Sequence, residues 1–334
     1  MRVLAYAENG EPWDVVRLVE RPRPVAAAGE VVVRLEAAPL HIADLLAIRG
    51  KLDFIAPGPA VPGFEGVGRI VSCGQGVQQW RAGDRVILPM AYGALQEERA
   101  VAADSLWRAP EGVAAEQLAL VRINAVTAYL LLHAYETLKA GECVIQNAAN
   151  SNVAHYVRLL GSTLGISVID VVRRPELVET LASTTRSHVL LDGLDLNERI
   201  RALGQAPKLA LDAIGGAATA RLGSAVADGG LVLSYGFLAH QAYEINWPDM
   251  MFRDVHLRGM MTARAIDRIG PAGVVAMQDV LFDLMARTGG QADIASCYTF
   301  AQAAEAFRHA AEVGTERSGK VILRVGEEKS LAKP

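Results

Sequence analysis

The feature that most constrains the fold is a regular alternation of apolar strands and helices that begins near Asn124. Short runs rich in Val, Ile and Leu are each followed by a helix-like stretch, as in βαβ units of a parallel sheet covered on both faces. The strand and helix pairs are ECVIQNA with VAHYVRLLGSTLG, SVIDVVR with PELVETLAST, HVLLD with NERIRAL, and KLALDAIG with AATARLGSAVA, and the strands GLVLSYG and HLRGMM follow. We therefore predict a doubly wound α/β domain here.

The residues on either side have other patterns. Up to about residue 120, short β-rich runs are interrupted by Gly and Pro, which is typical of an all-β, barrel-like domain. After about Ala265 come a long helix, the run CYTF, a second helix and the strand KVILRV. These closing elements contain no further nucleotide-type turn, so by pattern alone they either cap the parallel sheet or return to the first domain.

Composition and charge narrow the function classes. Lys and Arg number 33 and Asp and Glu 37, a net charge of −4, so there is no basic excess for nucleic acid or a membrane surface. Cys73, Cys143 and Cys297 are far apart, as expected for buried thiols in a reducing compartment. The N-terminus lacks the pattern of a signal peptide, and no unbroken run of 18 apolar residues occurs. We predict a cytoplasmic protein with no membrane partner.

Residues 146–154, QNAANSNVA, occupy the strand-to-helix turn where a doubly wound domain places its phosphate-binding glycines, yet they include none. Asn150 and Asn152 tolerate the left-handed conformation and can supply the turn. Ser151 offers a hydroxyl to a phosphate, Ala154 is small enough for helix packing, and the helix that begins near Val153 directs N–H groups at an anion. A dinucleotide site and a loop that only takes its place both remain open on this turn alone.

The next strand indicates which dinucleotide would bind. An NAD site ends this strand with an acidic residue that holds the ribose 2′-hydroxyl. Here SVIDVVRRPE ends in Arg173 and Arg174, whose guanidinium groups would attract a 2′-phosphate. We predict NADPH, with solvated loop charges as the alternative interpretation of both arginines.

Several segments also occur in the order of a known family, namely PGFEGVGRIVSCGQGV, GDRVI, NAVTAYLLLHAYETLKAGECVIQNAANS, LALDAIGG, LVLSYG and SGKVIL. The chain resembles the medium-chain dehydrogenase/reductase superfamily, in the branch of the zinc-free quinone oxidoreductases and mitochondrial-type 2-enoyl thioester reductases. The resemblance implies an α/β protein with a GroES-like β-barrel catalytic domain and a Rossmann-type, doubly wound parallel-sheet domain. The implied domains are 1–123 (catalytic), 124–264 (NADPH-binding) and 265–334 (return to the catalytic domain), with a cofactor cleft at their junction.

The resemblance also implies where the cofactor would be held. The family carries NSGVG where this chain has residues 150–154, so two glycines are replaced. Asn124 and Thr127 match the segment that contacts the nicotinamide end, with a helix cap and a buried hydroxyl as the alternative. The remaining candidates follow from position. Tyr235 and Phe237 end a strand of the parallel sheet, with core packing as the alternative, and Gly215 and Gly216 permit a close turn beside the cofactor. Arg253 and Arg258 could meet acidic groups of a coenzyme A substrate, although solvated surface charge is the favoured interpretation of both.

No metal site is predicted. The zinc-dependent relatives need ligands where this chain has LHIAD and PGFEG, and Phe64 in the second segment cannot coordinate zinc. The proton donor of the enoyl reductases is a Tyr, and the corresponding stretch here is Gly50-Lys51-Leu52-Asp53-Phe54, in which Leu52 cannot donate. His41 and Tyr92 are the remaining candidates, with structural packing as the alternative for each.

These observations predict an NADPH-dependent, metal-free oxidoreductase that transfers hydride to a quinone or to an activated C=C bond of an enone or 2-enoyl thioester. The alternative is a non-catalytic NADPH-binding protein, structural or regulatory, that kept the fold. The expected partners are a small-molecule substrate and, as the resemblance implies, a second copy of the chain paired through the edge strand HLRGMM.

Overall fold

The computed structural model describes residues 1–52, 55, 58–185, 187–312 and 318–325. The chain divides into two compact units, one comprising Met1–Ile123 with Leu281–Pro334 and the other Asn124–Val280. The second unit thus ends at Val280, whereas the predicted domain ends at residue 264. The helical segment Thr262–Thr288, which is interrupted at Gly270, begins before the predicted boundary and extends past it.

The first unit begins with short strands and helices. In chain order they are β1 (Arg2–Ala5), α1 (Pro12–Val15), β2 (Arg17–Glu20), β3 (Glu30–Pro39), α2 (Ile42–Ile48), β4 (Val67–Cys73), β5 (Arg85–Ile87), β6 (Glu98–Ala102), β7 (Trp107–Arg108) and α3 (Ala115–Leu118). A π-helical turn, Val121–Ala125, follows.

The second unit alternates strand and helix as the sequence predicts. Its elements are α4 (Val126–His133), β8 (Cys143–Gln146), α5 (Asn152–Leu164), β9 (Ser167–Val172), α6 (Glu176–Thr184), β10 (His188–Leu191), α7 (Leu196–Ala202), β11 (Leu209–Asp212), α8 (Ala217–Ala225), β12 (Leu231–Ser234), α9 (Trp247–Arg253) and β13 (His256–Gly259).

The closing elements are α10 (Thr262–Thr288), β14 (Ile294–Thr299), α11 (Ala303–Ala311) and β15 (Lys320–Arg324). α10 is kinked at Gly270, which has a φ of 66° and precedes Pro271. A proline cannot donate the helical hydrogen bond, and glycine adopts the left-handed conformation at little cost, so the kink follows from this pair.

The second unit is a doubly wound domain, as predicted. Among the described residues, six strands form one parallel sheet in the order β10-β9-β8-β11-β12-β13. The order reverses between β8 and β11, and ligands of such sheets bind at this reversal, beyond the carboxyl ends of the strands. Every residue of β8, β11 and β12 is buried, which explains their unbroken apolar sequences.

The first unit contains a mostly antiparallel sheet. Within the described part of the chain its strands follow the order β14-β15-β3-β4-β5-β7, and β6 also pairs with β3. β15 pairs antiparallel with β3, so the C-terminal segment does return to the first unit. Phe307 of α11 and Val321 of β15 join Leu35, Leu40 and Ile70 in one buried core.

Two helical segments are long and apolar enough to qualify as membrane spans by length and mean hydropathy, in contrast to the sequence prediction of none. Ala115–His133 has a mean hydropathy of 1.2 and Thr262–Thr288 of 1.3. The sequence prediction required an unbroken apolar run, whereas a segment with a few charged residues can still have a high mean hydropathy. The first segment is 72% buried inside the protein, as expected of a core helix, and the second is kinked.

Candidate active site

The turn between β8 and α5 contains one left-handed residue, and it is not an asparagine. Ala148 has a φ of 48°, whereas Asn150 and Asn152 do not have positive φ values. The prediction that these asparagines supply the left-handed conformation was therefore wrong. The chain turns earlier because Asn147, directly before Ala148, is anchored to a neighbouring strand.

That anchor is a buried carboxylate, Asp212, at the end of β11. Its Oδ1 accepts hydrogen bonds from Nδ2 of Asn147 at 2.6 Å and from the N–H of Gly215 at 3.1 Å. Its Oδ2 accepts from the hydroxyls of Thr219 at 2.7 Å and Ser234 at 3.0 Å. A buried carboxylate requires such donors, and this network holds β8, β11 and β12 together where the sheet order reverses.

Ser151 closes the turn as the N-cap of α5. Its hydroxyl accepts a hydrogen bond from the N–H of Ala154 at 3.2 Å. Asn152 is only 6% exposed and Ala154 is fully buried, so both side chains pack against protein, while Asn150 is exposed and Val153 half-buried. The first turn of this 13-residue helix directs N–H groups and the positive end of its dipole out of the sheet edge, which suits a phosphate.

Two predicted residues that follow β12 directly differ in their surroundings. The Tyr235 hydroxyl is hydrogen-bonded to Ser151, and burial raises the pKa of this phenol, so it stays neutral. Phe237 is 49% exposed. Gly215 and Gly216 both have positive φ, 85° and 59°, a conformation that favours glycine.

Arg173 and Arg174 lie directly after β9, which neighbours β8 in the sheet. Arg173 is exposed, and Arg174 is half-buried; in the described part of the chain Arg174 forms one distant ion pair, with Glu176 at 3.9 Å. The acidic residue of this strand, Asp170, is buried and bonded to Gln146 at 2.7 Å and to Arg158 at 3.1 Å. The Asp170 side chain is thus held in the interior, whereas Arg173 and Arg174 follow the end of the strand.

The residues of this unit fit a phosphorylated dinucleotide. A helix N-terminus with a serine cap follows the first strand, small or packed side chains line the turn, and two arginines follow the second strand. Asn124 is 4% exposed in the π-helical turn and Thr127 is 7% exposed in α4, which is compatible with both interpretations of each residue. π-helical turns often occur at functional sites.

In the first unit, His41 and Glu65 form a buried pair. Nε2 of His41 lies 2.6 Å from Oε1 of Glu65, and the other carboxyl oxygen accepts the N–H of Ile123 at 2.9 Å. His41 is 5% exposed and Glu65 fully buried. His41 directly precedes α2, while Glu65 precedes β4, so the sequence alone does not bring them together.

Burial favours the neutral form of both partners. It raises the pKa of Glu65 to about 8 and lowers the pKa of His41 well below its usual value, to which the nearby Lys320 cation also contributes. Asp44 lies beside the pair; its carboxyl oxygens accept the N–H groups of His41 at 2.8 Å and Gly63 at 3.0 Å, while burial raises its pKa to about 7. Near neutral pH the pair therefore holds a transferable proton.

Tyr92 lies in the same unit. Its hydroxyl is 3.0 Å from that of Tyr6, and its ring packs on Phe64 with the centroids 4.9 Å apart. Burial raises the pKa of Tyr92, which makes it a weak acid. Leu52, at the position of the family's Tyr, is half-buried, and the neighbouring Asp53 and Phe54 lie outside the described residues.

Among the described residues, no group of three or more His, Cys, Asp or Glu side chains is arranged to hold a metal ion. Sequence reasoning identified His41 and Ser151 but missed Glu65, Asn147 and Asp212. Asn147 and Asp212 had a usable signal, since each is a polar residue at the end of an apolar strand. The sequence signal for Glu65 was weaker, because Glu65 lies in the segment PGFEG and does not end an apolar strand.

Comparisons with known proteins agree with this architecture. The alcohol dehydrogenase GroES-like domain family matches residues 27–128. The mitochondrial enoyl-[acyl-carrier-protein] reductase of Xenopus tropicalis is 34% identical over 266 residues, covering 77% of this chain and 76% of that protein. That relative is mitochondrial, whereas the sequence analysis predicts a cytoplasmic protein here.

Two solved structures share the whole fold. A candidate NADPH:quinone reductase from Bacillus thuringiensis has a TM-score of 0.87 and 24% identity, covering 97% of this chain and 99% of that one. The complex of Etr1p with NADP and crotonyl-CoA has a TM-score of 0.82 and 23% identity, with the same coverage.

The fold and these matches define a medium-chain dehydrogenase/reductase. Within that superfamily, the chain belongs to the zinc-free branch of the quinone oxidoreductases and mitochondrial-type 2-enoyl thioester reductases. The predicted family, and with it the GroES-like and Rossmann-type fold class, is confirmed.

Proposed function

We propose that this chain is an NADPH-dependent, metal-independent reductase of the C=C bond of a 2-enoyl thioester. The observation that carries this function is the buried His41–Glu65 pair, a proton source in a chain 34% identical to an enoyl-[acyl-carrier-protein] reductase. Reduction of an enoyl thioester needs both a hydride and a proton, and the pair meets the second need.

The second unit would hold the cofactor. When bound, NADPH supplies the hydride. The first turn of α5 and Ser151 would bind the pyrophosphate, and Arg173 and Arg174 the 2′-phosphate. The other residues proposed to contact the cofactor are Asn124, Thr127, Asn150, Asn152, Val153, Gly215, Tyr235 and Phe237.

The first unit would complete the reaction. Addition of hydride to the β-carbon of the enoyl group moves the π electrons toward the thioester oxygen, and the α-carbon then takes a proton. Leu52 cannot supply that proton, and the high pKa of Tyr92 makes it a poor donor. His41, resupplied by Glu65 at 2.6 Å, is the better candidate, and Tyr92 would shape the acceptor site.

Quinone reduction is the second candidate. The observation that favours it is Leu52 in place of the family's tyrosine, because a hydroquinone collects its protons from water. A quinone would need hydride and no protein acid, so it would be reduced even by a variant that lacks the His41–Glu65 pair.

The test is steady-state oxidation of NADPH with crotonyl-CoA, an enone and a panel of quinones. We expect turnover of the thioester, and His41→Ala should reduce it by about 10²-fold or more while leaving NADPH affinity unchanged. Turnover of quinones alone would favour the second candidate. Measurable NADPH binding with no turnover of any acceptor would instead support a non-catalytic NADPH-binding protein.

The chain would also assemble as a homodimer through the edge strand β13. β13 pairs only with β12 among the described strands, and it is largely exposed. The preceding helix α9 exposes Trp247 (63%), Met251 (72%) and Phe252 (73%), a concentration of apolar surface beside an open strand edge. A second copy would cover both features.

A further inference from the structure

The π-helical turn that begins at Val121 supplies a backbone donor to the buried His41–Glu65 pair. The N–H of Ile123 donates to Oε2 of Glu65 at 2.9 Å, on the carboxyl oxygen that does not face His41. A π-helical turn departs from the regular helical hydrogen-bond pattern, so such an N–H can point to a side chain instead of a helical carbonyl. The position of this turn therefore decides whether Glu65 keeps its second hydrogen-bond partner.

Arg122, the residue before Ile123, is held in place from two sides. Its guanidinium carbon lies 3.9 Å from the centroid of the Trp107 ring, well within the range of a cation over an aromatic face. Its Nη2 donates to the carbonyl of Ser105 at 3.2 Å. The ring is itself fixed, because Trp107 is 9% exposed and the Phe282 ring meets it edge-on with the centroids 5.8 Å apart. The ring and the carbonyl thus hold the turn directly beside its donor N–H.

Arg122 also contributes charge. Among the described residues, the titratable groups that act on the Glu65 carboxyl are His41, Asp44, Lys320 and Arg122. Burial raises the pKa of Glu65 to about 8, and the backbone N–H and the cations of Lys320 and Arg122 oppose that rise, whereas the Asp44 carboxylate adds to it. Burial lowers the pKa of Arg122 to about 10, so the guanidinium stays charged at neutral pH. Arg122 therefore favours the ionised form of Glu65.

This preference matters when the proton leaves Glu65. Once Glu65 passes its proton to His41, a buried carboxylate remains, and a buried charge is costly unless it is hydrogen-bonded or faces an opposite charge. The Ile123 N–H and the Arg122 cation both stabilise that carboxylate more than the neutral acid. Proton transfer within the pair is therefore more favourable in their presence.

We propose that Arg122 is a positioning residue for proton delivery from Glu65. Held by the ring and the carbonyl, it keeps the Ile123 N–H at the Glu65 carboxyl and adds its own positive charge. The role rests on the proposed function, because the proton in question is the one that His41 gives to the enoyl thioester. Arg122 does not contact the acceptor in this role and acts through Glu65.

The titration of Glu65 can be measured without turnover. Infrared spectroscopy follows the band of the protonated carboxyl as the pH rises, isotope-labelled glutamate separates this band from that of the buried Asp44, and Glu65→Gln assigns it. We expect a midpoint near about pH 8 in the wild type. Arg122→Met removes both the charge and the donor to Ser105, so it should raise the midpoint by about one pH unit, which is about tenfold in proton affinity.

Two further variants complete the set. Arg122→Lys keeps a cation but loses the planar guanidinium, so its midpoint should rise by less than that of Arg122→Met. The matched control is Arg108→Met, because Arg108 also stacks on a tryptophan of this unit, 4.5 Å from the centroid of Trp80. Arg108 pairs with Asp84 and is not among the groups that act on Glu65, so its replacement should leave the midpoint unchanged.

Kinetics with NADPH and crotonyl-CoA give the second readout. In Arg122→Met, kcat at neutral pH should fall by up to about tenfold, and the alkaline limb of kcat should move up with the infrared midpoint. KM should stay within about twofold of the wild type, because Arg122 does not contact the substrate. A loss of active protein alone would lower kcat without moving the limb.

The two readouts separate the positioning role from the proposed function. If the wild type reduces no thioester, the proposed function fails, whereas a raised infrared midpoint still supports the action of Arg122 on Glu65. If Arg122→Met does not fold, Arg122→Lys decides between the outcomes. An unchanged midpoint in the folded Arg122 variants, or an equal shift in Arg108→Met, would overturn the proposal.

Discussion

Nε2 of His41 lies 2.6 Å from Oε1 of Glu65, and the two side chains are buried against each other. His41, at the N-terminus of α2, and Glu65, two residues before β4, thus form a buried pair that holds a proton. In the proposed mechanism, this pair takes the place of the proton donor that Leu52 cannot provide.

The first prediction concerns the pH dependence of catalysis. Because burial raises the pKa of Glu65 to about 8, the acid form predominates at neutral pH and is lost above it. We expect kcat for thioester reduction to fall as the pH rises through about 8. Glu65→Gln should remove this limb and lower kcat by about 10²-fold, measured as a pH profile beside the exposed-carboxylate control Asp104→Asn.

The same group gives a linked prediction for stability. The folded protein binds a proton at Glu65 up to about pH 8, whereas the unfolded chain releases it near the ordinary value of 4.5. The folded state therefore binds more protons across this window, and the contribution of Glu65 to stability falls as pH rises. The free energy of unfolding, measured with urea between about pH 6.5 and 8, above the usual His pKa, should fall less steeply with pH for Glu65→Gln than for the wild type. An unchanged slope would contradict the assigned protonation state.

The second prediction concerns cofactor choice. Arg173→Ala with Arg174→Ala should weaken NADPH binding about tenfold or more and leave NADH nearly unchanged, because only NADPH carries the 2′-phosphate. Fluorescence titration of both cofactors measures the ratio, and Arg201→Ala serves as an exposed control in the same unit. An equal loss of affinity for NADPH and NADH would show that the arginines do not recognise the 2′-phosphate.

The third prediction concerns the turn. Ala148 has a φ of 48°, a conformation that is costly for a residue with a Cβ and open to glycine. We expect Ala148→Gly to stabilise the protein by about 0.5–1 kcal/mol. Ala149→Gly, at a buried neighbour without positive φ, should destabilise it by a similar amount. Thermal and urea unfolding test the pair, and a loss of stability in both variants would contradict the assigned strain.

The fourth prediction concerns assembly. If β13 and α9 form a dimer interface, Met251→Glu with Phe252→Glu should yield a monomer, because two buried charges would face the partner copy. Light scattering after size exclusion measures the mass. Val25→Glu, at an apolar residue 87% exposed in the other unit, should leave the dimer intact. A wild-type monomer at all concentrations would reject the interface.

Much of this molecule was predictable because its determinants are local. The alternation of strands and helices from Asn124 onward fits the six-stranded parallel sheet, since side-chain periodicity and burial are both set by neighbours in sequence. Arg173 and Arg174 were placed correctly at the end of β9 for the same reason.

Other features were not predictable because they join distant segments. The left-handed residue of the turn is Ala148 and not an asparagine, because the bond between Asn147 and Asp212 of another strand decides where the chain reverses. Likewise, the helical segment α10 begins at Thr262, before the expected domain boundary, and is interrupted only at Gly270.

The amino-acid sequence by itself determined the family, the two kinds of sheet and the position of the phosphate-suited turn, since these follow from periodicity and from motifs read within short segments. Only the tertiary structure paired His41 with Glu65 and placed the Arg122 guanidinium over the Trp107 ring. Burial and proximity set the protonation of the pair, and both arise only when segments far apart in sequence pack together.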